Sequence, residues 1–354
     1  MYDLPQVGLP DEPMREAAMA RQLRLTKPAG ALGRLEELGC WASAVQGKCP
    51  PSQFAQPTVV IFAGDHGVAR TARTSAYPSE VTAQMVLNFI AGGAAVNVLA
   101  RRGQARVRVV DISVDVEASY LDTIAPEVAA NRIRRSSGSI DREDALSMDD
   151  ARAAFALGQH IADDEIDSGA DLLIPGDMGI GNTTPAATLT GLLANLDASK
   201  VTGMGTGIDD HTWMRKCAAV RDAMHRGRPE LSDPIALLAT VGGADFAAMT
   251  GFLVQPAIRR TPVILDGTIS GACALVADRI DYRARLWWLA GHRSSEPAHT
   301  AALSHLDLNP VIDYSMRLGE GTGAVLALPV VQSAIALLAE MSTFDEAGVS
   351  EQDA

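Results

Sequence analysis

The sequence lacks the cysteine patterns that mark metal-bound or disulfide-bonded folds. Of 354 residues only four are cysteine, and no two of them have CxxC spacing. Neither a zinc ribbon nor a disulfide framework is indicated, and we interpret the thiols as buried or incidental side chains in a reducing compartment. The cysteines are Cys40, Cys49, Cys217 and Cys273.

Positive charge is also scarce. The chain carries 30 Lys and Arg against 43 Asp and Glu, a formal net charge of −13. A chain without a basic block is a poor candidate for a nucleic-acid-binding protein, so we expect no nucleic-acid partner. An anionic small substrate is still compatible with this balance, because backbone N–H groups and a few cations can hold a phosphate.

Leader and membrane segments are not indicated either. The opening segment, 1–13, has no basic region followed by an apolar one, which argues against a secretory signal. The longest apolar stretch, 323–339, contains Pro329 and is shorter than the ~20 residues that span a bilayer. We therefore expect a cytoplasmic protein without a membrane partner, and a buried core helix in this stretch.

What the sequence does contain is an alternation of helix and strand patterns. Short β-branched runs predict strands, and amphipathic stretches between them predict helices. Strands that alternate with helices favour an α/β fold with a mainly parallel sheet of about six strands, covered by helices on both faces. The predicted strands are 58–63, 107–112, 171–175, 201–204, 262–265 and 285–290.

The two ends of the chain show helical patterns only. Helices are predicted around 303–317 and 324–342, and the first and last fifty residues carry no strand pattern. We therefore predict an α/β core over 50–302, with a smaller helical subdomain formed by 1–49 together with 303–354.

Almost every predicted strand is followed by a polar motif that contains glycine. In a parallel sheet these motifs meet at the carboxyl edge, where ligands bind in open α/β folds. Loops rich in Asp, Ser, Thr and Asn at one edge therefore predict a single site built from many loops. The motifs lie at 64–67, 176–185, 203–210, 242–243, 265–267 and 291–297.

The loop 176–185 is the most informative of these motifs. Asn182 and Thr183 stand where a helix would begin, and a helix N-terminus with free N–H groups favours an anion such as phosphate. The loop is neither a Walker A motif nor a full GxGxxG fingerprint. Lys216, downstream of the next glycine loop, is either a phosphate-binding cation or a solvated helix lysine, and the sequence alone leaves both open.

A second informative segment, 317–324, displays Glu320 between two glycines, just before a long apolar helix pattern. Desolvation beside such a helix would raise the pKa of the carboxyl group toward neutrality, which suits a general base. The alternative is that Glu320 only places negative charge at the first turn of the helix. The residues alone favour neither interpretation.

No histidine pattern indicates a metal. The seven histidines form no HExxH or HxH motif, and no GxSxG nucleophile elbow is present. Asp65 and His66 could ligate a metal, but we interpret them as a hydrogen-bonded loop pair. We therefore expect neither a metal site nor a cofactor.

The motifs resemble, as a set and in order, the signature of one enzyme family. The matching segments are 26–36, 63–67, 176–184, 248–251, 265–267 and 317–324. The family is nicotinate-nucleotide–dimethylbenzimidazole phosphoribosyltransferase, of the nucleotide-loop branch of cobalamin synthesis. The resemblance implies a Rossmann-like parallel sheet with a small helical domain, and a homodimer with its sites near the interface.

The resemblance also implies a reaction. Nicotinate mononucleotide and a benzimidazole give α-ribazole 5′-phosphate and nicotinate, with inversion at C1′ of the ribose and no required metal or cofactor. Because the leaving group is already a cationic pyridinium, the incoming base is the reactant that needs assistance, since the N–H proton on its non-attacking nitrogen must be lost to a carboxylate. Glu320 matches the catalytic base of the family.

Two groups of substrate-binding residues are implied as well. Those that hold the mononucleotide are Asp177, Met178, Gly179, Asn182, Thr183, Lys216 and Ser294. Those that wall the benzimidazole slot, where flat apolar contact suits an aromatic base, are Tyr77, Met85 and Leu318. Asp177 stands where Glu is usual in the family, and Tyr77 and Met85 replace a smaller hydroxyl residue and an amide. The choice among benzimidazoles, purines and phenols is therefore left open.

Two other functions stand as alternatives. A nicotinamide-dinucleotide oxidoreductase would also have glycine loops after parallel strands, but the full fingerprint and its acidic ribose partner are lacking. A non-enzymatic nucleotide-binding protein would explain the phosphate loop but would leave Glu320 without a task.

Overall fold

The structure, a computed structural model, describes residues 4–350, apart from the side chains of residues 118 and 119. Its strands are β1 (Pro57–Gly64), β2 (Arg106–Ser113), β3 (Leu172–Met178), β4 (Val263–Leu265), β5 (Trp288–Ser294) and β6 (Pro310–Met316). Its α-helices are α1 (Glu12–Arg24), α2 (Arg34–Gln46), α3 (Val68–Thr71), α4 (Glu80–Ile90), α5 (Ala95–Gly103), α6 (Ala118–Ile124), α7 (Pro126–Ala129), α8 (Met148–Asp167), α9 (Thr183–Leu193), α10 (Ala198–Val201), α11 (Asp210–Gly227), α12 (Pro234–Val241), α13 (Ala244–Ile258), α14 (Thr268–Ile280), α15 (Pro297–Leu306), α16 (Thr322–Glu340) and α17 (Phe344–Ala347).

The strands form one parallel sheet in the order β2-β1-β3-β4-β5-β6. Helices follow every strand in the chain, and the residues of β1 are buried from end to end. Continuous burial of an apolar strand is typical of parallel sheets that are covered on both faces. The structure thus confirms the predicted α/β fold with a parallel sheet of six strands.

The sheet has a topological switch point between β1 and β3. The chain leaves β1 for β2 on one side and later returns to β3 on the other side. The carboxyl ends of β1 and β3 are therefore neighbours, with Ala63 opposite Met178. Loops that leave two such strands in opposite directions open a crevice, and ligands of α/β proteins bind there.

Two predicted elements are wrong. The segment 201–204 is not a strand, because α10 ends at Val201 and the glycine-rich chain that follows has no regular structure there. The helix predicted around 303–317 ends at Leu306, because Asp307 adopts a left-handed φ of 54°. Its second half is β6, so the expectation that the last fifty residues carry no strand is also wrong.

The reason for the second error lies in the residues of β6. Pro310 cannot donate a backbone hydrogen bond, but it is tolerated as the first residue of an edge strand. The following Val311 and Ile312 are β-branched and suit a strand. The last predicted strand also shifts, since a short 3₁₀ turn occupies Ala284–Trp287 and β5 begins at Trp288.

The helices at the two ends of the chain pack together. Helices α1 and α2 contact each other and α16. Leu25 pairs with Thr343 in an isolated antiparallel bridge, and the Arg21 guanidinium donates a hydrogen bond to the Leu338 carbonyl at 2.8 Å. Helix α16 also packs against β5 and β6. The division into a core and a terminal helical subdomain stays a prediction.

Within residues 4–350, two stretches have the length and composition of a membrane helix, namely Glu80–Gly103 and Thr322–Glu340. The first comprises α4 and α5, which four residues separate. The second is α16, and more than half of its apolar window is buried inside the protein. Burial against the sheet explains the apolar character of α16.

Candidate active site

The loop after β3 folds directly onto the end of β1. A Cβ atom at Gly179 would lie 1.9 Å from the Gly64 carbonyl oxygen, so only glycine fits there. The next amide, that of Ile180, donates hydrogen bonds to Thr82 Oγ1 at 3.1 Å and to Asp65 Oδ1 at 3.3 Å. The predicted convergence of the first two glycine motifs at one edge of the sheet is therefore present.

Glu320 lies over the end of β3. Its backbone N–H donates to the Asp177 carbonyl at 3.1 Å, and a Cβ atom at Gly176 would lie 2.5 Å from the Glu320 carbonyl oxygen. The backbone of Glu320 has a φ of 68°, in the left-handed region that non-glycine residues rarely adopt. The residue is only 6% exposed, and Oε2 has no hydrogen-bond partner in the described structure.

This environment makes Glu320 a stronger base than an ordinary glutamate. Burial raises the pKa of its carboxyl group to about 7, and the negative charge of Asp266 acts in the same direction. The backbone amide of Val96, in the first turn of α5, acts against the shift. A carboxylate with a pKa near neutrality and a free oxygen can accept a proton from a bound substrate.

Asp177 lies beneath the same loop. Its Oδ2 accepts a hydrogen bond from Asn182 Nδ2 at 2.9 Å, and a Cβ atom at Gly319 would lie 2.5 Å from Oδ1. Burial raises the pKa of Asp177 well above its usual value, and the charges of Asp266 and Glu320 raise it further. Asp177 is therefore hydrogen-bonded to Asn182 through its side chain and to Glu320 through its backbone.

Lys216 projects from α11 into the same edge of the sheet. Its Nζ donates to Thr183 Oγ1 at 2.8 Å and to the Gly203 carbonyl at 3.2 Å. The residue is 1% exposed, so the interpretation as a solvated lysine is wrong. Burial lowers the pKa of its ammonium group to about 8, while the charge of Glu296 opposes this shift. The group retains its charge at neutral pH and stands beside the first residue of α9.

Ser294 connects β5 to this polar cluster. It is buried, its N–H donates to His299 Nδ1 at 2.9 Å, and its Oγ accepts from the Glu296 N–H at 3.3 Å. Glu296 Oε1 in turn accepts a hydrogen bond from the Gly205 N–H at 2.8 Å. Next to Glu296, a cavity of about 480 Å³ opens between the 202–208 loop and Arg317.

The three residues expected to wall a benzimidazole slot are less enclosed. Tyr77 is 55% exposed and Leu318 is 44% exposed, whereas Met85 is half-buried in α4 and packs against the main core. Tyr77 lines a separate cavity of about 800 Å³ together with Arg73 and Arg215. In the single chain these side chains form no closed slot.

Asp65 and His66 each bond to a protein partner. Asp65 Oδ1 accepts from Thr82 Oγ1 at 2.6 Å, and His66 Nε2 lies 3.1 Å from Asp245 Oδ2. These contacts agree with the interpretation of a hydrogen-bonded loop pair. In residues 4–350 no group of three or more His, Cys, Asp or Glu side chains has the arrangement of a metal site.

The comparisons with known proteins agree with the motif order. A family model described as Phosphoribosyltransferase matches residues 7–349. A Mycobacterium marinum protein named nicotinate-nucleotide–dimethylbenzimidazole phosphoribosyltransferase is 57% identical over 99% of this chain and 96% of its own length. The chain belongs to this phosphoribosyltransferase family. The Mycobacterium tuberculosis protein of the same name is 55% identical, over 99% of this chain and 95% of its own.

A solved structure of the phosphoribosyltransferase family shows the same fold. The Thermus thermophilus nicotinate-nucleotide–dimethylbenzimidazole phosphoribosyltransferase superposes with a TM-score of 0.89 at 38% identity, and the match covers 97% of this chain and 100% of that one. The resemblance inferred from the motifs is thereby confirmed. Neither the oxidoreductase nor the non-enzymatic alternative finds support among these relatives.

Sequence reasoning gave no role to two buried acids of this candidate site. Asp266, directly after β4, accepts hydrogen bonds from the backbone next to Glu320, and Glu296 faces Lys216. A signal was present for both, since each lies in a glycine-bearing motif after a strand. Their partners, however, lie on segments that only the fold brings close.

Proposed function

We propose that this chain transfers the phosphoribosyl group of nicotinate mononucleotide to 5,6-dimethylbenzimidazole or a related base, releasing nicotinate. The product is α-ribazole 5′-phosphate, and the step belongs to cobalamin synthesis. One observation carries the assignment of the chemistry: a buried glutamate with a free carboxylate oxygen stands over the switch point of the sheet. Family membership supplies the substrates, and this side chain supplies the base that the reaction needs.

The geometry suits one proton transfer and one displacement. A ring nitrogen of the incoming base attacks C1′ of the ribose, the bond from C1′ to the nicotinate nitrogen breaks, and its electron pair stays on nicotinate. The N–H proton on the other ring nitrogen of the attacking base passes to Glu320. Because the pyridinium leaves as a neutral ring, no acid has to protonate it, and one carboxylate with a pKa of about 7 is sufficient.

The other end of the site suits the phosphate of the mononucleotide. The ammonium group of Lys216 and the hydroxyl of Thr183 meet at the N-terminus of α9, where backbone N–H groups also favour an anion. Ser294 lies close by at the end of β5. Asp177, Met178, Gly179 and Asn182 form the loop between this end and Glu320, and we assign them to ribose and nicotinate.

The aromatic base would approach Glu320 past the exposed side chains that the family resemblance assigns to its slot. Tyr77 and Leu318 leave apolar surface open to solvent, as expected of residues that an aromatic ring or a second protein chain covers. We assign them, with Met85, to the base slot, and we infer a homodimer that closes it. A location in the cytoplasm fits the small-molecule substrates and stays a prediction.

A product assay tests the proposal directly. The purified protein is incubated with nicotinate mononucleotide and one of several free bases, including 5,6-dimethylbenzimidazole and adenine, and mass spectrometry follows ribosylated product and nicotinate. We expect both products with at least one base. Glu320→Gln should lower turnover by roughly 10²–10⁴-fold with little loss of mononucleotide binding.

A matched control separates loss of the base from loss of a buried acid. Glu165→Gln changes another buried glutamate, which pairs with Arg106 and Arg108 at the amino end of β2, away from the carboxyl ends of the strands. This variant should leave turnover near the wild-type value. Full activity in Glu320→Gln would remove the base assignment. Absence of product with every base, although the mononucleotide binds, would contradict the transferase function itself.

A further inference from the structure

A second buried carboxylate holds the loop that carries Glu320. Asp266 follows β4 and is fully buried. Its Oδ2 accepts a hydrogen bond from the Gly321 N–H at 3.1 Å, and its Oδ1 accepts one from the Ala324 N–H at 2.9 Å. Both oxygens are thus used on the first turn of α16, which begins directly after the Glu320 loop.

These two bonds bear on the conformation of Glu320. Its φ of 68° is unfavourable for a residue with a side chain, so surrounding contacts must hold it. The Asp177 carbonyl holds the Glu320 amide from β3, while Asp266 holds the next amide from β4. The catalytic loop is therefore clamped at two successive residues by two neighbouring strands.

Asp266 also acts on Glu320 through its charge. Its negative charge favours the protonated form of Glu320 and so makes the deprotonated form a stronger base. Other ionisable groups face this cluster from three further elements. They are Asp177 from β3, Asp245 from α13, whose charge acts on Asp177, and His292 from β5, whose Nε2 lies 3.6 Å from Asp266 Oδ1. A Cβ atom at Gly323 would lie 2.1 Å from His292 Cδ2, so α16 is pressed directly onto this pair.

We propose that Asp266 is a positioning residue for the transfer reaction, which fixes the Glu320 loop through hydrogen bonds to two backbone amides. The inference rests on the proposed function. The competing explanation is that Asp266 only caps the N-terminus of α16. A cap predicts a loss of stability alone, whereas a positioning residue also changes the pH at which Glu320 works.

The decisive experiment is the pH profile of kcat for Asp266→Asn in the full chain. The amide keeps an acceptor oxygen but removes the charge and one accepted bond. We expect kcat to fall by about 10²-fold because the base is displaced, with the KM for the mononucleotide little changed. The acidic limb of the profile should move to lower pH, because the carboxyl group of Glu320 loses a negative neighbour and its pKa falls.

Two control variants separate the loss of the Asp266 charge from other effects of the substitution. Asp111→Asn alters another fully buried carboxylate that accepts a backbone amide, from Val114, and lies on β2 outside the site. It should lower thermal stability and leave the acidic limb in place. Asp266→Glu keeps the charge and shifts it, so kcat should fall while the limb stays at the wild-type pH.

The outcomes separate this inference from the proposed function. A folded Asp266→Asn protein with a wild-type limb would reduce Asp266 to a helix cap. If Asp266→Asn does not fold, Asp266→Glu decides: a wild-type kcat in that variant would also overturn the inference. Absence of product from the wild-type protein would instead contradict the transferase function, whatever Asp266 does.

Discussion

The two ends of the candidate site use burial in opposite ways. At one end, burial raises the pKa of Glu320 to about 7, and the neighbouring charge of Asp266 adds to the shift. At the other, burial lowers the pKa of Lys216 to about 8, and the neighbouring charge of Glu296 opposes the shift. The carboxyl group of Glu320 therefore changes its protonation near neutral pH, whereas the ammonium group of Lys216 stays charged there.

The hydrogen bonds of Lys216 and Glu320 differ in the same way as their pKa shifts. Lys216 donates to two oxygens from separate loops, those of Thr183 and Gly203, so its charge is held by direct hydrogen bonds. Glu320 has an unpartnered oxygen, and the structure holds its backbone instead. A cation that binds substrate can be fixed through its ammonium group, as in Lys216. A general base such as Glu320 must keep a carboxylate oxygen free to accept the proton of the substrate.

The largest effect expected on substrate binding comes from a change at Lys216. Lys216→Met removes a charge-assisted contact worth about 1.5–3 kcal/mol, so the KM for nicotinate mononucleotide should rise by roughly 10–100-fold. Steady-state kinetics with the mononucleotide as the varied substrate measures it. The matched control is Lys200→Met, an exposed lysine of α10, which should have the wild-type KM. An unchanged KM in Lys216→Met would place the phosphate elsewhere.

The pH profile tests both ends at once. Glu320 must be deprotonated to accept a proton, so kcat/KM should rise with pH through about 7. Lys216 must be protonated to hold the phosphate, so kcat/KM should fall as pH rises above about 8. The expected profile is a narrow bell with its optimum between these values.

Each limb of the bell can be removed on its own. Lys216→Met should abolish the alkaline limb and keep the acidic one, whereas the residual activity of Glu320→Gln should lack the acidic limb. A profile that stays flat from about pH 5 to pH 10 would show that neither group titrates during turnover.

The two ends also differ in how far the sequence revealed them. Glycine loops after apolar strands were sufficient to predict the sheet and the edge where the site lies, because strand periodicity and turn chemistry are local. From the residues alone, Glu320 could be a general base or a negative charge at the first turn of α16. The structure gives the capping role to Asp266, whose two bonds to α16 join residues remote in sequence.

The residues alone left the burial of Lys216 open, and they gave a wrong prediction for β6, for a related reason. A lysine in an amphipathic helix is usually solvated, and only the packing of α11 against α9 buries this one. In the segment around Leu308 and Val311, apolar residues recur at helical spacing, so periodicity favoured a helix. The edge of the sheet supplied the partner that made this segment a strand.

The smallest expected effect tests the strain at the catalytic end. Glycine relieves the left-handed conformation at Glu320, but it also gives the unfolded chain more freedom. The strain term is about 1–2 kcal/mol and the chain-freedom term about 0.5–1 kcal/mol, so at the midpoints Glu320→Gly should be more stable than Glu320→Ala by about 0.75 kcal/mol. Urea unfolding with a shared m-value measures the difference in the free energy of unfolding.

The control position is Glu16, which is exposed inside α1. There the glycine variant should be less stable than the alanine variant, because glycine destabilises a helix relative to alanine. If the glycine variant is the less stable one at both positions, the Glu320 loop stores no strain. The contacts from Asp177 and Asp266 would then hold a relaxed backbone.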